Sequence, residues 1–353
     1  MSLEDLGWDG RWDALMSPFR DEGYVPARVS QEHRGQYVIW TADGEVAAIV
    51  SGKFRHEASS PGEFPAVGDW LAVNVIDNGE RAVIHAVLTR KSTFSRKAAG
   101  EAVEEQVVAA NVDMVLLVSG LDGDFNVRRI ERYLALAWES GATPVIVLNK
   151  ADQCDDVEAR VAEVESSAIG VDVVVVSAIS GQGLDRLRAI TAKGKTLALL
   201  GSSGVGKSTL VNALLGENRM KTHEVREDDS RGRHTTTHRE LVLIPGGGVL
   251  IDTPGMREIQ LWADGDAIER VFEDIAQLSA QCRFRDCQHA GEPGCAVEAA
   301  VASGSLSPAR IESYRKLRRE QAFLARKQDL GLQAAERAKW KQIHKEIKRL
   351  NKQ

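Results

Sequence analysis

The sequence predicts three parts in series: a small N-terminal β-barrel, a central α/β region built on a mostly parallel sheet, and a mainly α C-terminal part. Three patterns predict this. Between Tyr24 and Leu88, short apolar runs alternate with turn residues. From Met114 to Ile251, continuous apolar runs alternate with stretches of helical spacing. Beyond Ala267 the spacing is helical, with Cys282, Cys287, His289 and Cys295 set into it.

Strands are predicted at residues 24–29, 36–40, 45–50, 69–75 and 82–88. Gly35, Asp43-Gly44, Pro61-Gly62, Gly68 and Asn78-Gly79 separate them. So many short strands in so little chain suit an OB-fold, and a five-stranded SH3-like barrel would leave the same pattern. Residues 95–112 are polar with little apolar periodicity and read as a linker. Buried parallel strands follow at 114–119, 144–148, 171–176 and 196–200. Helices fall at 127–138, capped by Asn126, and at 157–169, 184–190 and 207–215. Residues 221–238 are polar and loop-like. Strands at 240–244 and 249–251 and the helical C-terminal stretch complete the pattern, with 311–352 broken near Gly331. The expected domains are therefore 1–94, 113–262 and 263–353, joined by the linker 95–112.

The chain has 353 residues, 43% hydrophobic and 27% charged, the profile of a soluble globular protein. No apolar run approaches the ~20 residues that span a bilayer. The first twenty residues carry acidic side chains and lack a positive-then-apolar pattern, so no signal peptide is expected. A cytoplasmic location and no membrane partner follow as expectations. The net charge of −6 argues against nucleic acid, but the average conceals a division. Residues 310–353 hold 14 Lys/Arg and 5 Asp/Glu, leaving −15 on the remainder. A tail of that kind meets a polyanion or forms a solvated, salt-bridged helix.

Two motifs carry the chemistry. Gly201-Ser202-Ser203-Gly204-Val205-Gly206-Lys207-Ser208 follows an apolar strand and opens a helix, the context of a P-loop. Its backbone N–H groups and the helix N-terminus, with Thr209 in the first turn, would cradle phosphates. Lys207 would reach the β and γ oxygens, and Ser208 would ligate Mg²⁺. Asn149-Lys150-Ala151-Asp152, at the end of another strand, suits guanine: the Asp152 carboxylate can accept from both N1–H and N2–H₂, a donor pair adenine lacks. Asn149 would brace the loop, the Lys150 stem would lie over the base, and Ser177-Ala178-Ile179 would offer a backbone N–H to guanine O6. The ligand is therefore GTP or GDP. The base motif precedes the phosphate motif, the reverse of the ordinary order, so the nucleotide domain is circularly permuted.

Asp252-Thr253-Pro254-Gly255 follows a strand; Asp252 would hold Mg²⁺ through water and the Gly255 N–H would meet the γ-phosphate. Outside that context it would be a plain turn. His234-Thr235-Thr236-Thr237 lies in the polar loop, and Thr236, with Thr235 next, is expected to complete the Mg²⁺ shell. Ras-like enzymes orient the attacking water with a Gln just after Asp-x-x-Gly. Here that residue is Met256, so another group must act: His234 is favoured over His238. Low intrinsic turnover with stimulation by a partner is expected.

Cys282-x4-Cys287-x-His289-x5-Cys295 supplies three thiolates and one imidazole, a closed tetrahedral set for structural Zn²⁺. Buried free cysteines beside an incidental His are the plainer alternative, and Cys154, alone, reads as structural. Arg283 and Arg285 give the knuckle basic flanks that fit RNA.

With these motifs the chain resembles the ribosome small-subunit-dependent GTPase A family of bacteria. The likeness covers the small barrel, the permuted motif order, Gly232-Arg233-His234-Thr235-Thr236-Thr237 and the Cys-x4-Cys-x-His-x5-Cys knuckle. It implies an OB-fold, a permuted GTPase domain and a zinc domain. It also implies late 30S assembly, binding of 16S rRNA and hydrolysis stimulated by the 30S subunit. By the same likeness the catalytic His falls on His234 and the zinc ligands on Cys282, Cys287, His289 and Cys295. A monomer is expected. A GTP-regulated RNA-binding protein with negligible hydrolysis, and a GTPase acting on another RNA or on a membrane surface, are the alternative readings. Because fewer than thirty residues separate Gly255 from Cys282, loss of the γ-phosphate could also reorient the zinc domain.

Overall fold

The computed structural model describes residues 2–33, 35–97, 105–191, 194–217, 239–252 and 265–328. They belong to two compact units, residues 1–99 with 104–260, and residues 100–103 with 261–353.

The first unit opens with helix α1 (Gly10–Asp21). Asp9 caps it, its carboxylate accepting from the Arg11 and Trp12 N–H groups at 3.0 and 3.4 Å. Trp12 and Met16 face inward and pack, with Leu6 and Trp8, on Trp70, Ala72 and Leu88. The barrel strands are β1 (Val25–His33), β2 (Gln36–Thr41), β3 (Gly44–Val50), β4 (Trp70–Ile76) and β5 (Arg81–Val87), with a short helix α2 (Gly52–Glu57) after β3. Tyr37, Ile39 and Thr41 on β2 and Val46, Ala48 and Val50 on β3 point inward at every second position. The strand order is β1-β2-β3-β5-β4, and β4 closes on β1 from Val25↔Val73 to Arg28↔Trp70. Strands β3 and β5 run parallel. This Greek-key closure is the OB arrangement, and it removes the SH3-like alternative that strand count alone left open.

Within residues 95–112, expected as a polar linker, the described residues are largely strand. β6 (Thr93–Lys97) and β7 (Glu105–Ala110) form an antiparallel pair. Phe94 and Val107–Ala110 are buried. Half-buried Thr93, Arg96 and Gln106 and buried Ser95 lie among them, and these polar residues masked the short apolar run in the sequence.

The α/β part follows as β8 (Met114–Gly120), α3 (Val127–Ser140), β9 (Thr143–Asn149), α4 (Val157–Ser167), β10 (Asp172–Val175), α5 (Leu184–Ile190), β11 (Thr196–Leu200), α6 (Lys207–Leu215), β12 (Glu240–Leu243) and β13 (Val249–Asp252). Asn126 caps α3, its side chain accepting from the Arg129 N–H at 3.1 Å. The order is β10-β9-β8-β11-β13-β12, parallel throughout except for β12. A phosphate-first chain would enter this sheet at β11 and leave it at β10. Here β8–β10 come first, which is the permutation seen in three dimensions. Leu116, Val118, Val145, Val147, Leu197 and Leu250 form the centre of its core.

The sheet continues into the barrel through Gln31↔Glu240. Buried polar groups fill the junction. Arg28, 1% exposed, donates to Gly68 O (3.2 Å), to Leu6 O and to Thr196 Oγ1 (2.8 Å), and its guanidinium lies 5.2 Å from the Trp70 ring centre. Burial pulls it down to about 10, which leaves it charged at neutral pH. Asp69 is fully buried, held by Arg90 through two contacts of 2.9 and 2.7 Å and by the Ala66 N–H at 2.8 Å.

In the second unit, α7 (Gly265–Val271), α8 (Glu273–Ser279), α9 (Ala296–Ala302) and α10 (Pro308–Gln328) pack around Ile268, Phe272, Ile275, Val297 and Ile311. Arg310, 7% exposed, grips Asp274 at 2.7 and 2.8 Å, donates to Val271 O and lies over the Phe272 ring. Among the described residues no helix is long and apolar enough to cross a membrane.

Candidate nucleotide site and metal centre

Strands β8, β9, β11 and β13 end on one edge of the sheet, at Gly120, Asn149, Leu200 and Asp252. The chain winds from β8 through β9 to β10 on one side, while β11 and β13 lie on the other. The reversal opens a crevice at the carboxyl ends of β8 and β11, where open α/β sheets bind ligands.

The P-loop leaves β11 there. Its Gly206 sits at φ +88°, and a Cβ at that position would stand 2.4 Å from Asn149 Nδ2. Only glycine provides both the backbone turn and the close approach. The Asn149 amide, 2% exposed, donates to Val205 O at 2.8 Å and accepts from the Ala178 N–H at 3.1 Å. One buried side chain therefore joins three sequence motifs. Lys150 adopts the left-handed region at φ +65°, and its ammonium meets Asp122 at 2.5 Å. The Ala151 N–H donates to Val176 O, and the Cys154 N–H donates to Ala151 O, closing a short 3-10 turn from which Asp152 projects, exposed. Ser177 is buried and accepts from the Ser180 N–H at 3.1 Å, while Ile179 is exposed. Ser202, Ser203 and Gly204 form the open rim. Lys207 Nζ donates to Gly201 O and Ser202 O, at 2.7 and 2.5 Å. Ser208 and Thr209 occupy the first turn of α6, half-buried, and Asp252 ends β13 in register with Glu240. His234, Thr235, Thr236, His238, Gly255 and Met256 lie outside the described residues.

Three side chains at this site were missed in the sequence. Asp122 and Asp124 lie in the loop after β8, and Arg129 in the first turn of α3. Asp124 Oδ2 accepts from Arg129 (2.5 Å) and from Ser202 Oγ (2.7 Å), and Arg129 also reaches Ser202 Oγ at 2.8 Å. The hydrogen bond from Arg129 holds the Asp124 carboxyl below its ordinary value. The available signal was two aspartates at a strand's carboxyl end, one strand over from the base motif.

In the second unit Cys282, Cys287, His289 and Cys295 place their ligand atoms within 4.8 Å of one another. Cys282 Sγ lies 3.9 Å from Cys295 Sγ, and His289 Nδ1 lies 3.7 and 3.5 Å from these two sulfurs. A tetrahedron with Zn–S bonds near 2.3 Å has edges of about 3.8 Å, so the donor set fits zinc. His289 Nε2 meets Ser279 Oγ at 2.9 Å, and that hydroxyl donates to Ile275 O at 2.7 Å. Ser279 therefore accepts from Nε2–H, which leaves Nδ1 unprotonated and aimed at the sulfurs. Burial keeps the His289 imidazole below its ordinary value, in the neutral form a metal requires. Burial and the neighbouring thiols push Cys287 up to about 11, so closely set thiols resist joint ionisation without a cation.

The RsgA GTPase family matches residues 87–262, and a 50S ribosome-binding GTPase family matches 196–353. The small ribosomal subunit biogenesis GTPase RsgA of Opitutus terrae is 49% identical, across 98% of this chain and 96% of its own. The protein of that name from Streptomyces coelicolor is 45% identical, across 96% and 92%. Among solved structures, YjeQ from Thermotoga maritima is similar with a TM-score of 0.64 and 29% identity, over 85% of this chain and all but 1% of that one. YloQ, described as a circularly permuted GTPase, is similar in fold, with a TM-score of 0.61 over 85% of this chain and 95% of its own.

Proposed function

The chain belongs to the RsgA GTPase family, and from that premise we propose that it hydrolyses GTP in the assembly of the small ribosomal subunit, with turnover stimulated by that subunit. One observation carries the nucleotide reading: Asn149 ties the base motif, the P-loop and the 177–179 turn into one crevice. In this reading Asp152 accepts from guanine N1–H and N2–H₂, and its exposed position leaves it open to an incoming base. The 177–179 turn would offer a backbone N–H to guanine O6. The N-terminus of α6 and the P-loop N–H groups take the β-phosphate. Lys207 exchanges its two carbonyl partners for phosphate oxygens. Ser208 and Asp252, a hydroxyl in the first turn of α6 and a carboxylate at the end of β13, are a suitable donor set for Mg²⁺, which Thr236 would complete. Mg²⁺ held by these residues would supply neutralisation of the charge developing on the phosphates. Gly255 meets the γ-phosphate and His234 orients the attacking water.

We further propose that residues 1–94 and 263–353 contact 16S rRNA, that the knuckle holds one structural Zn²⁺, and that the protein acts as a monomer in the cytoplasm. The basic stretch from Arg310 and the Cys/His donor set support the first two. The deciding experiment is GTP turnover with purified 30S subunits, with 50S subunits and with neither. Strong acceleration by 30S alone is expected. Acceleration by 50S in preference to 30S, or by neither, would overturn the assignment.

A further inference from the structure

The knuckle displays an aromatic residue that the metal centre and the helical core leave unused. Phe284 is 42% exposed, on the four-residue loop between Cys282 and Cys287. Its neighbours Arg283, Arg285 and Asp286 are exposed as well. A single exposed Phe on a protein surface is ordinary. This one differs in how it is held. The Cys282 N–H donates to Ser279 O at 3.1 Å, the Arg283 N–H to Gly294 O at 3.1 Å, and the Cys287 N–H to Phe284 O at 3.3 Å. Arg283 packs against Gly294, where an added Cβ would stand 3.0 Å from Arg283 Cβ. Both ends of the loop are candidate metal ligands. The ring is thus presented by a backbone tied at each end, so little conformational freedom remains to be lost on binding.

The charge around the ring selects its partner. The Arg283 guanidinium lies 5.5 Å from the ring centre, and Arg285 follows directly. An apolar protein hot spot would be ringed by further apolar side chains; here the sequence neighbours are charged. A planar ring between two arginines matches a nucleotide, with its flat apolar face and flanking phosphates. In A-form duplex the bases are stacked on one another, and only looped or terminal bases can be splayed onto an aromatic.

We propose that Phe284 is a stacking platform for an unpaired RNA base, with Arg283 and Arg285 engaging the phosphates beside it. This rests on the reading of the protein as an rRNA-binding GTPase and assigns one contact within it. The test uses the full-length zinc-loaded protein as wild type, Phe284→Trp, Phe284→Leu and Phe284→Ala. Zinc content and basal GTP turnover verify folding, since Phe284 belongs to neither site. Dissociation constants are measured at one fixed salt concentration for 30S subunits, a mixed-sequence single-stranded RNA dodecamer, and the same sequence as duplex. Phe284→Trp should bind single strand and 30S as tightly as wild type. Phe284→Leu and Phe284→Ala should bind about five- to one-hundred-fold more weakly, with duplex affinity unchanged. Full affinity in Phe284→Leu beside a loss in Phe284→Ala would mean a merely apolar, protein contact and would overturn the proposal. Unchanged affinity in all variants would do the same while leaving 30S binding intact. Wild type that ignores 30S but binds single strands through Phe284 would instead remove the ribosomal reading and keep the stacking.

Discussion

Asp152 and Asn149 stand three residues apart and do different work. Asn149 is buried and spent on backbone partners, whereas Asp152 is exposed and available to a base. Charge-assisted hydrogen bonds contribute roughly 1.5–3 kcal/mol each, and Asp152 would make two. Asp152→Ala should therefore weaken GTP by about a hundred-fold or more and leave ATP affinity unchanged, erasing the preference; calorimetry with both nucleotides measures it. An Asp152→Ala protein that still prefers GTP would break the assignment of the base site. Arg129 makes a subtler case. It neutralises Asp124, whose carboxylate touches the P-loop residue Ser202. Arg129→Ala should leave a bare carboxylate beside the phosphate site. Asp124 is 41% exposed, so solvent screens most of the repulsion, and about 1 kcal/mol or a five-fold loss of GTP affinity is expected. The double variant with Asp124→Asn should regain it, which a simple packing defect at Arg129 would not. The pH sign follows from the lowered Asp124 value. The Arg129–Asp124 pair is complete above the ordinary carboxylate range and is lost as pH falls through that lowered value.

Elements were most legible where local chemistry fixes them. Helix α6 begins at Lys207 because a glycine-rich turn ends there, and α3 begins after an Asn whose side chain can satisfy an orphan N–H. Strands β8, β9 and β11 were legible as continuous apolar runs, since a parallel strand buries both faces. The β6–β7 pair was not. Polar Thr93, Ser95, Arg96 and Gln106 interrupt its apolar residues, and the burial of Phe94 and Val107–Ala110 depends on other elements, information no local window contains. The parallel β3–β5 pairing that separates OB from SH3-like closure is likewise a tertiary fact. The knuckle lies between these cases: its ligand spacing is local, but the Ser279 hydroxyl that orients His289 was not foreseen. The knuckle joins α8 to α9 with little apolar core of its own, so its geometry should depend on the metal. Stripping zinc with a chelator, or Cys282→Ser, should lower the melting transition of residues 261–353 and abolish stimulation by 30S. GTP binding should stay within about two-fold, because the nucleotide crevice lies in the other unit. Thermal unfolding with zinc quantified beside nucleotide titration reads both, and an unchanged transition without metal would show the site to be non-structural.

The barrel and the nucleotide sheet were separable in the sequence, with a linker between them, yet they share one eleven-stranded sheet and one buried polar junction. Arg28 from β1 bonds to Thr196, the first residue of the strand that delivers the P-loop. Asp113 accepts from the Thr196 N–H at 2.8 Å and pairs with Lys91 at 2.6 Å. Asn111, in the left-handed region at φ +58°, donates to Gly68 O and accepts from the Lys91 N–H. Asp69 is the centre of this network: it is fully buried and carries the Arg90 ion pair. Its worth lies in what its removal exposes. Deleting one partner of a buried pair costs roughly 3–5 kcal/mol, because the other charge keeps its desolvation penalty and loses its compensation. Arg90 retains 16% exposure and two carbonyl partners, Gly62 O and Phe64 O, which place the expected loss at the lower end of that range. Asp69→Ala should therefore lower the stability of the whole first unit by about 3 kcal/mol. Because the junction reaches the strand that feeds the P-loop, barrel and nucleotide sheet should melt together, in a single transition that GTP with Mg²⁺ shifts upward in wild type and variant alike. Calorimetry showing two transitions in the first unit, with only one of them moved by nucleotide, would mean that the barrel is an independent module and that the shared sheet carries no cooperativity.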